Sequence, residues 1–390
     1  MRQADVIVIG AGVGGATTAH ALGQRGMKVV LLDAKHPCAP CFKAEKIWPG
    51  NIEIFAKYGV DRAALSVATP IREVVEARAG RVLSSIKTGE YGMYYQDVVN
   101  ALRKGLPESV DFRVTRVVDV ATSPDVQRVT VSGGDVIEAR LVVVAPGGGA
   151  SFTDKLGYER RVIREGQSTG FGFDVARADG SRFPFEALTY MSSGYAARMG
   201  YCTFFPIGSV MRANMFVFRS ARDEWVRRMI KEPHDTLCEA LPGLEKVLGP
   251  FVVPSKVETA GIDLWRTENA AEKDGMVLIG DAFQGVCPST GTGFDKVLAD
   301  VDVLCSIHVP RWFETPGMGK EKIAQLYSDP RKLEVDRYSL QKGQYERWAA
   351  TSPGWTAAIH RARVAADMYI GAFRKARWLW ADRTYAASHA

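Results

Sequence analysis

An α/β fold is predicted for this 390-residue chain by three features of its sequence. A β-branched run, Asp5 to Ile9, leads directly into clustered glycines and then into helix formers. A second apolar run, Met276 to Ile279, ends on another glycine loop that opens another helix. Between them lie 71–89 and 166–254, strand-rich stretches that alternate or carry many aromatics. Together these predict a discontinuous Rossmann-like domain from 1–70, 90–165 and 255–308, a strand-rich substrate domain from 71–89 and 166–254, and a helical C-terminal region over 309–390.

Taken in order, Asp5 to Ile9, Gly10 to Gly15, Ala16 to Arg25 and Lys28 to Leu32 read as strand, turn, helix and strand, one βαβ unit. Apolar residues at helical spacing predict helices at Asn51 to Tyr58 and Gln96 to Lys104. Arg72 to Ala77 and Arg81 to Ile86 flank Ala79-Gly80, the pattern of a hairpin rather than a crossover helix. Phe112 to Val120, Gln127 to Ser132 and Val136 to Ala139 read as strands that feed the apolar run Leu141 to Ala145. Tyr201 to Pro206 and Ala213 to Phe218 belong to the second sheet, and Glu224 to Lys231 and Thr236 to Leu241 are helical. A helix from Phe294 to Cys305 completes the split domain, and the chain beyond it is mainly helical, with a break at Pro353-Gly354. Val364, Met368, Ala372, Ala376 and Trp380 recur at helical spacing beside Arg363, Arg374, Lys375 and Arg377. This last segment reads as an amphipathic helix whose apolar face packs on the protein, with peripheral membrane contact or an acidic carrier protein as the sharper alternatives.

Composition narrows the classes. At 46% hydrophobic the chain can bury two lobes. Its net charge of +6 is spread among interspersed acids, so no nucleic-acid partner is expected. No run reaches the roughly 18 apolar residues of a membrane span, and the apolar N-terminus lacks the flanks of a signal peptide, so a cytoplasmic location is expected. The six cysteines are scattered as in a reduced enzyme. Cys38-Ala39-Pro40-Cys41 is the one C-x-x-C, without the second pair or histidines that zinc needs, and no metal is expected. His20 and His234 are read as packing or surface residues.

Gly10-Ala11-Gly12-Val13-Gly14-Gly15 fits G-x-G-x-x-G between strand and helix, where glycines let backbone N–H groups approach a pyrophosphate. Asp33, followed by Ala34, ends the second strand about twenty residues later, where a carboxylate can accept from an adenosine ribose. That unit alone does not separate FAD from NAD. The second glycine loop decides for FAD: Gly280-Asp281, then Pro288-Ser289-Thr290-Gly291-Thr292-Gly293 opening a helix. Asp281 could hold ribityl hydroxyls, and the helix N-terminus would present N–H donors to the flavin N1/C2=O edge.

On these motifs the chain resembles the p-hydroxybenzoate hydroxylase-type FAD-dependent monooxygenases and their relatives, the geranylgeranyl reductases and flavin-dependent halogenases. The resemblance covers roughly the first 310 residues. It implies FAD, with Lys43 or Lys46 near the flavin, Gln96 where many relatives have arginine, Val117 toward the adenine, and Gly147 in the cofactor-binding set. It implies that Pro288 and Gly291 sit at the reacting edge and that Tyr201 and Phe205, in Tyr201 to Gly208, line the substrate side. Ala145-Pro146-Gly147 stands where many hydroxylases have an Asp-Gly motif shared with NAD(P)H, so electrons come from NAD(P)H or from a partner flavin reductase. Gln284 replaces a frequent histidine, and Thr203 stands where the reductases have tryptophan. The implied activity is transfer of one oxygen from a flavin C4a-hydroperoxide to an aromatic or alkene small molecule of secondary metabolism. The alternatives are an isoprenoid double-bond reductase and a flavin-binding protein without turnover.

Overall fold

The computed structural model describes residues 4–193 and 195–370. Two units emerge, each interrupted in sequence. The first takes Met1–Thr69, Tyr91–Glu165 and Asp263–Gly343; the second takes Pro70–Glu90, Gly166–Ile262 and the chain from Gln344 onward. Of the expected helical region over 309–390, the described residues up to 343 fall in the first unit and those from 344 to 370 in the second. Its first part joins the first unit because Lys332 pairs with Asp300 at 2.6 Å and Lys342 donates to the Thr290 carbonyl at 2.8 Å.

Five parallel strands form the first unit's main sheet, in the order Met276–Leu278, Leu141–Val144, Val6–Ile9, Val29–Asp33, Val110–Val114. Its central strands are apolar throughout because both faces are covered. Val6, Val8, Leu31, Val143 and Val277 point into one core with helices Val13–Gly23, Tyr95–Lys104 and Gly293–Val303. Ile7, Ile9, Val30, Val142 and Leu278 point into the other. There the cover is a three-stranded sheet, Val117–Ala121, Gln127–Val131 and Val136–Ala139. The predicted strand Phe112 to Val120 is thus two strands in two sheets. Its first half ends as an edge beside Asp33, where the Thr115 N–H donates to the Asp33 carbonyl at 2.8 Å, and Arg116 then turns the chain into the smaller sheet by accepting from the Ser132 N–H.

The second unit is built on the antiparallel strands Gly166 to Arg177, Val210–Val217, Met199–Ile207 and Ala187–Met191, the last of which pairs in parallel with Thr69–Arg78. The hairpin turn at Ala79-Gly80 is formed, with Ala79 at φ 49° and Gly80 at φ 76°. Helices Glu224–Lys231, Pro233–Ala240 and Leu244–Leu248 cover one face of this sheet, burying Leu237, Leu241, Leu244 and Leu248 with Phe171, Phe173, Cys202 and Phe204.

Residues 355–370 are helical after the break at Pro353-Gly354. Of the residues whose apolar face was expected to pack on the protein, Val364 is 40% exposed and Met368 is half-buried. Ala372, Arg374, Lys375, Ala376, Arg377 and Trp380 lie outside the described residues. Among the described residues no helix is long and apolar enough to cross a membrane.

Candidate cofactor site

The first glycine turn is tight at two positions. Gly10 has φ +95°, and a Cβ there would lie 2.5 Å from the Ala145 carbonyl oxygen. A Cβ on Gly15 would fall 1.8 Å from the Gly10 carbonyl oxygen, so the helix can begin this close to the strand only because residue 15 has no side chain. Val13 starts the helix with its N–H directed at the Tyr95 hydroxyl, 3.3 Å away. A Cβ on Gly12 would meet that same hydroxyl at 2.9 Å.

Asp33 ends its strand half-buried and pre-oriented. Its Oδ2 accepts from the Ala11 N–H at 2.8 Å and from Arg103 Nη2 at 2.9 Å, and its Oδ1 accepts from the Lys35 N–H at 2.9 Å. Arg103 is buried and also donates to the Ala11 and Lys35 carbonyls. It therefore ties the glycine turn, the strand end and the helix Tyr95–Lys104 together. A carboxylate so fixed keeps acceptor capacity for a diol. Ala34 follows it on the surface, and Val117 packs half-buried against the second-face core. Gln96 lies half-buried in the helix's first turn beside Tyr95.

Lys43 reaches over the Tyr95 ring, 4.9 Å from its centroid, and a Cβ on Gly147 would stand 3.6 Å from its Nζ. Against the lowering effect of burial, Tyr95 and Asp281 hold its pKa above the ordinary lysine value. Lys46 does not join this group. Its Nζ lies 5.4 Å from the Trp48 ring centroid, and Trp48 stands 3.7 Å from where a Cβ on Gly291 would be. Asp281 follows Gly280 at φ +62°. Burial raises its carboxyl above the usual range, opposed by Lys296, Lys43 and Arg160.

Two N–H groups that precede the helix are engaged within the loop. The Gly291 N–H donates to the Pro288 carbonyl at 3.0 Å, and the Thr292 N–H to Thr290 Oγ1 at 3.2 Å. Gly291 at φ +70° makes the turn, and the helix Gly293–Val303, which has no side-chain cap, offers the first-turn N–H groups of Gly293 and Phe294. The Pro288 carbonyl already accepts one bond and keeps one lone pair.

Behind this loop is a charge cluster that sequence reading missed. Lys296, Asp300, Lys332 and Asp336 are each at most 2% exposed. Lys296 lies 3.1 Å from Asp300 and 3.3 Å from Asp336, while Lys332 lies 2.6 Å from Asp300 and 3.2 Å from Asp336. The four alternate in sign around a closed square. Its purpose is local: Asp300 accepts from the Gly280 N–H at 2.8 Å and Lys296 donates to the Gly280 carbonyl at 3.1 Å, so both ends of the residue before Asp281 are held. Burial pushes the Asp300 carboxyl up, but Lys296 and Lys332 outweigh it and hold it below the usual range. Burial likewise pushes Lys296 down, and Asp300 and Asp336 hold it well above the ordinary lysine value. Gln284, the replacement noted in the sequence, donates to the Asp336 carbonyl at 2.8 Å and ties the loop to helix Pro330–Thr351. Two lysines and two aspartates at i, i+4 on separate helices were the available signal, and in sequence such pairs read as solvated surface.

Tyr201 and Phe205 belong to the second unit. They share the face of strand Met199–Ile207 opposite Cys202 and Phe204, and Phe205 is fully buried while Tyr201 is half-buried.

These residues fit FAD. The turn leaves backbone room that any side chain would fill, Asp33 is set for a ribose, and Asp281 has cationic neighbours and, among the described residues, no hydrogen-bond donor on its carboxylate. Asp281→Asn is expected to keep the turn and to weaken FAD about ten- to a hundredfold, the loss of a charge-assisted acceptor. Because its folded pKa is raised, wild-type FAD retention should fall with pH from above the ordinary carboxylate range. Acid titration of FAD release checks this, and the variant should lack that limb.

A family model described as an FAD binding domain matches residues 3–309. No curated protein matches the chain by sequence. The solved structure of p-nitrophenol 4-monooxygenase PnpA from Pseudomonas putida DLL-E4 superposes with a TM-score of 0.73 at 16% identity, covering 96% of this chain and 94% of that one. Klebsiella pneumoniae HpxO complexed with FAD and uric acid gives 0.68 at 16% identity, covering 95% and 97%. Halogenase PltM gives 0.66 at 14% identity, covering 90% and 77%. Since the family match spans most of the chain and both glycine loops, the protein belongs to the FAD binding domain family.

Proposed function

We propose that the protein is a monooxygenase that places one oxygen atom on an aromatic or alkene small molecule. The observation that carries this reading is the pairing, within one unit, of the Gly10–Gly15 turn with the clamped Gly280–Gly293 loop. One FAD uses both. When bound, FAD supplies the redox and oxygen-activating chemistry. The chain's own residues do the rest. Asp33 and the first-turn amides would hold the adenosine end, Asp281 would hold the ribityl chain, and the Gly293 and Phe294 N–H groups would favour negative charge at the helix N-terminus. Tyr201 and Phe205 give the second unit's sheet an aromatic face suited to a flat or unsaturated substrate.

The test is product mass under labelled dioxygen with a panel of phenols, anilines and alkenes. Gain of one labelled oxygen supports the reading. Gain of two hydrogens without label would make the protein a double-bond reductase instead.

Electrons are proposed to come from a partner reductase, or from NAD(P)H once substrate is bound, because the chain has a single dinucleotide fingerprint and Pro146 in place of the Asp-Gly aspartate. Mixed anaerobically with NADH or NADPH alone, the flavin should bleach at least about a hundredfold more slowly than with a flavin reductase or with substrate added, a barrier difference of about 2.7 kcal/mol. Rapid stoichiometric bleaching by either nicotinamide would refute it.

A further inference from the structure

A cluster far from the glycine loops in sequence gives the second unit a chemistry of its own. Helix Pro233–Ala240 places His234 and Cys238 one turn apart on the same face, and Glu245 faces them from helix Leu244–Leu248. His234 Nε2 lies 4.0 Å from Cys238 Sγ and 3.4 Å from Glu245 Oε1, and the three candidate ligand atoms all lie within 4.8 Å of one another. We propose that His234, Cys238 and Glu245 form a binding site for a borderline-soft divalent metal ion, zinc before others.

Tetrahedral zinc at about 2.0–2.3 Å from N, O and S needs ligand atoms about 3.5 Å apart, so the histidine is already near its place and the thiol and carboxylate have roughly an ångström to close by side-chain rotation. The imidazole is already turned for it. Its Nδ1 lies 2.9 Å from Asp235 Oδ1, the carboxylate–histidine arrangement that fixes the tautomer and leaves Nε2 as the ligand atom. Its ring lies against Phe251, 4.7 Å between centroids. The two helices are themselves fixed. Leu237, Leu241, Leu244 and Leu248 are buried in the second unit's core, and Gly243, at φ +78° between them, sits so close to the hairpin turn that a Cβ would be 2.7 Å from Gly80. A thiolate, an imidazole and a carboxylate together suit zinc over calcium or magnesium, which prefer all-oxygen sets. Three protein ligands leave a fourth position for water. Binding replaces the thiol proton with the ion and ties the two helices together, so zinc should raise the melting temperature.

The site is tested on untagged, FAD-loaded protein stripped with a chelator and then titrated with zinc, or with cobalt as a spectroscopic probe. One ion per chain is expected, with tetrahedral cobalt bands to the red of the flavin absorption and a higher melting temperature. Cys238→Ser should remove the thiolate-to-cobalt band, His234→Ala should abolish stoichiometric binding, and Asp235→Asn should weaken zinc about ten- to a hundredfold. Cys38→Ser/Cys41→Ser should change nothing. Zinc uptake that survives Cys238→Ser and His234→Ala, or that disappears with Cys38→Ser/Cys41→Ser, would overturn the assignment. So would wild type that takes up no stoichiometric metal. If His234→Ala fails to fold, the nearly isosteric Cys238→Ser decides.

Discussion

Gly15→Ala is expected to yield little folded, flavin-loaded protein. The added methyl would lie 1.8 Å from the Gly10 carbonyl oxygen, and that atom belongs to backbone that is itself pinned, Gly10 being 2.5 Å at its own Cβ position from the Ala145 carbonyl. Neither rotamer change nor side-chain movement relieves such a contact, so the helix must lift off the strand. Overpacking of this kind costs about 3 kcal/mol or more, a large share of the roughly 5–15 kcal/mol that stabilises a domain. The helix N-terminus would move with it and carry its amides away from the pyrophosphate. Flavin-to-protein absorbance ratio and a thermal melt measure both consequences. Gly50→Ala, in a helix where a Cβ would meet nothing within 4 Å, serves as the neutral control. A Gly15→Ala protein that melts and binds FAD like wild type would mean the helix does not press on the turn.

Lys332→Met is the second change with a large expected effect. It leaves Asp300 and Asp336 sharing Lys296 in a place almost closed to water, and removing one partner of a buried ion cluster costs about 3–5 kcal/mol. The double variant Lys332→Met/Asp336→Leu leaves the balanced pair Lys296–Asp300 and should regain most of the loss, which a double-mutant cycle by denaturant unfolding would read. Two pKa directions give the window. Asp300, held low, contributes stability that is present above the ordinary carboxylate pKa of about 4 and lost as pH falls through its folded value. Lys296, held high, contributes stability that is present below the ordinary lysine pKa of about 10 and lost as pH rises through its folded value. Wild type should be best supported between the two. The variant's deficit should shrink as the pH falls through the carboxylate range, because protonation then removes the uncompensated charge. A deficit independent of pH would mean that lost packing, not charge, is responsible. FAD retention should fall along with stability, since Asp300 and Lys296 hold the Gly280 peptide.

The parts of the site legible in the sequence were those where chemistry and chain direction coincide. Gly10 to Gly15 follow a strand and open a helix, and the loop from Gly280-Asp281 to Gly293 does the same, so local spacing sufficed to place both turns. The hairpin at Ala79-Gly80 and the helix Glu224–Lys231 were legible for the same reason. Contacts between distant segments were not. Arg103 looks like an ordinary basic residue in a helix's last turn, yet it bridges Asp33 and Ala11, 70 and 92 residues away. Tyr95 lies one residue before the predicted helix start, and its hydroxyl meets Val13. His234 and Cys238 were in plain view, but Glu245 becomes their neighbour only through the turn at Gly243. Hydrogen bonding also revised the loop: φ +70° at Gly291 turns its N–H back to Pro288, a detail that spacing does not encode.

The split of the parallel sheet also governs how the protein can be made. Val6–Ile9 pairs with Leu141–Val144, and Leu141–Val144 in turn pairs with Met276–Leu278. At a translation rate of about 5–20 residues per second, the Leu141–Val144 strand waits on the order of ten seconds for its outer neighbour. Throughout that interval a wholly apolar strand has one unpaired edge, the condition that favours intermolecular pairing. Contacts this remote along the chain also make for slow folding. Expression yield should therefore depend on temperature and on chaperone supply more than final stability alone would suggest. A fragment ending before Met276 should aggregate even though it contains the complete first glycine turn, its helix and Asp33.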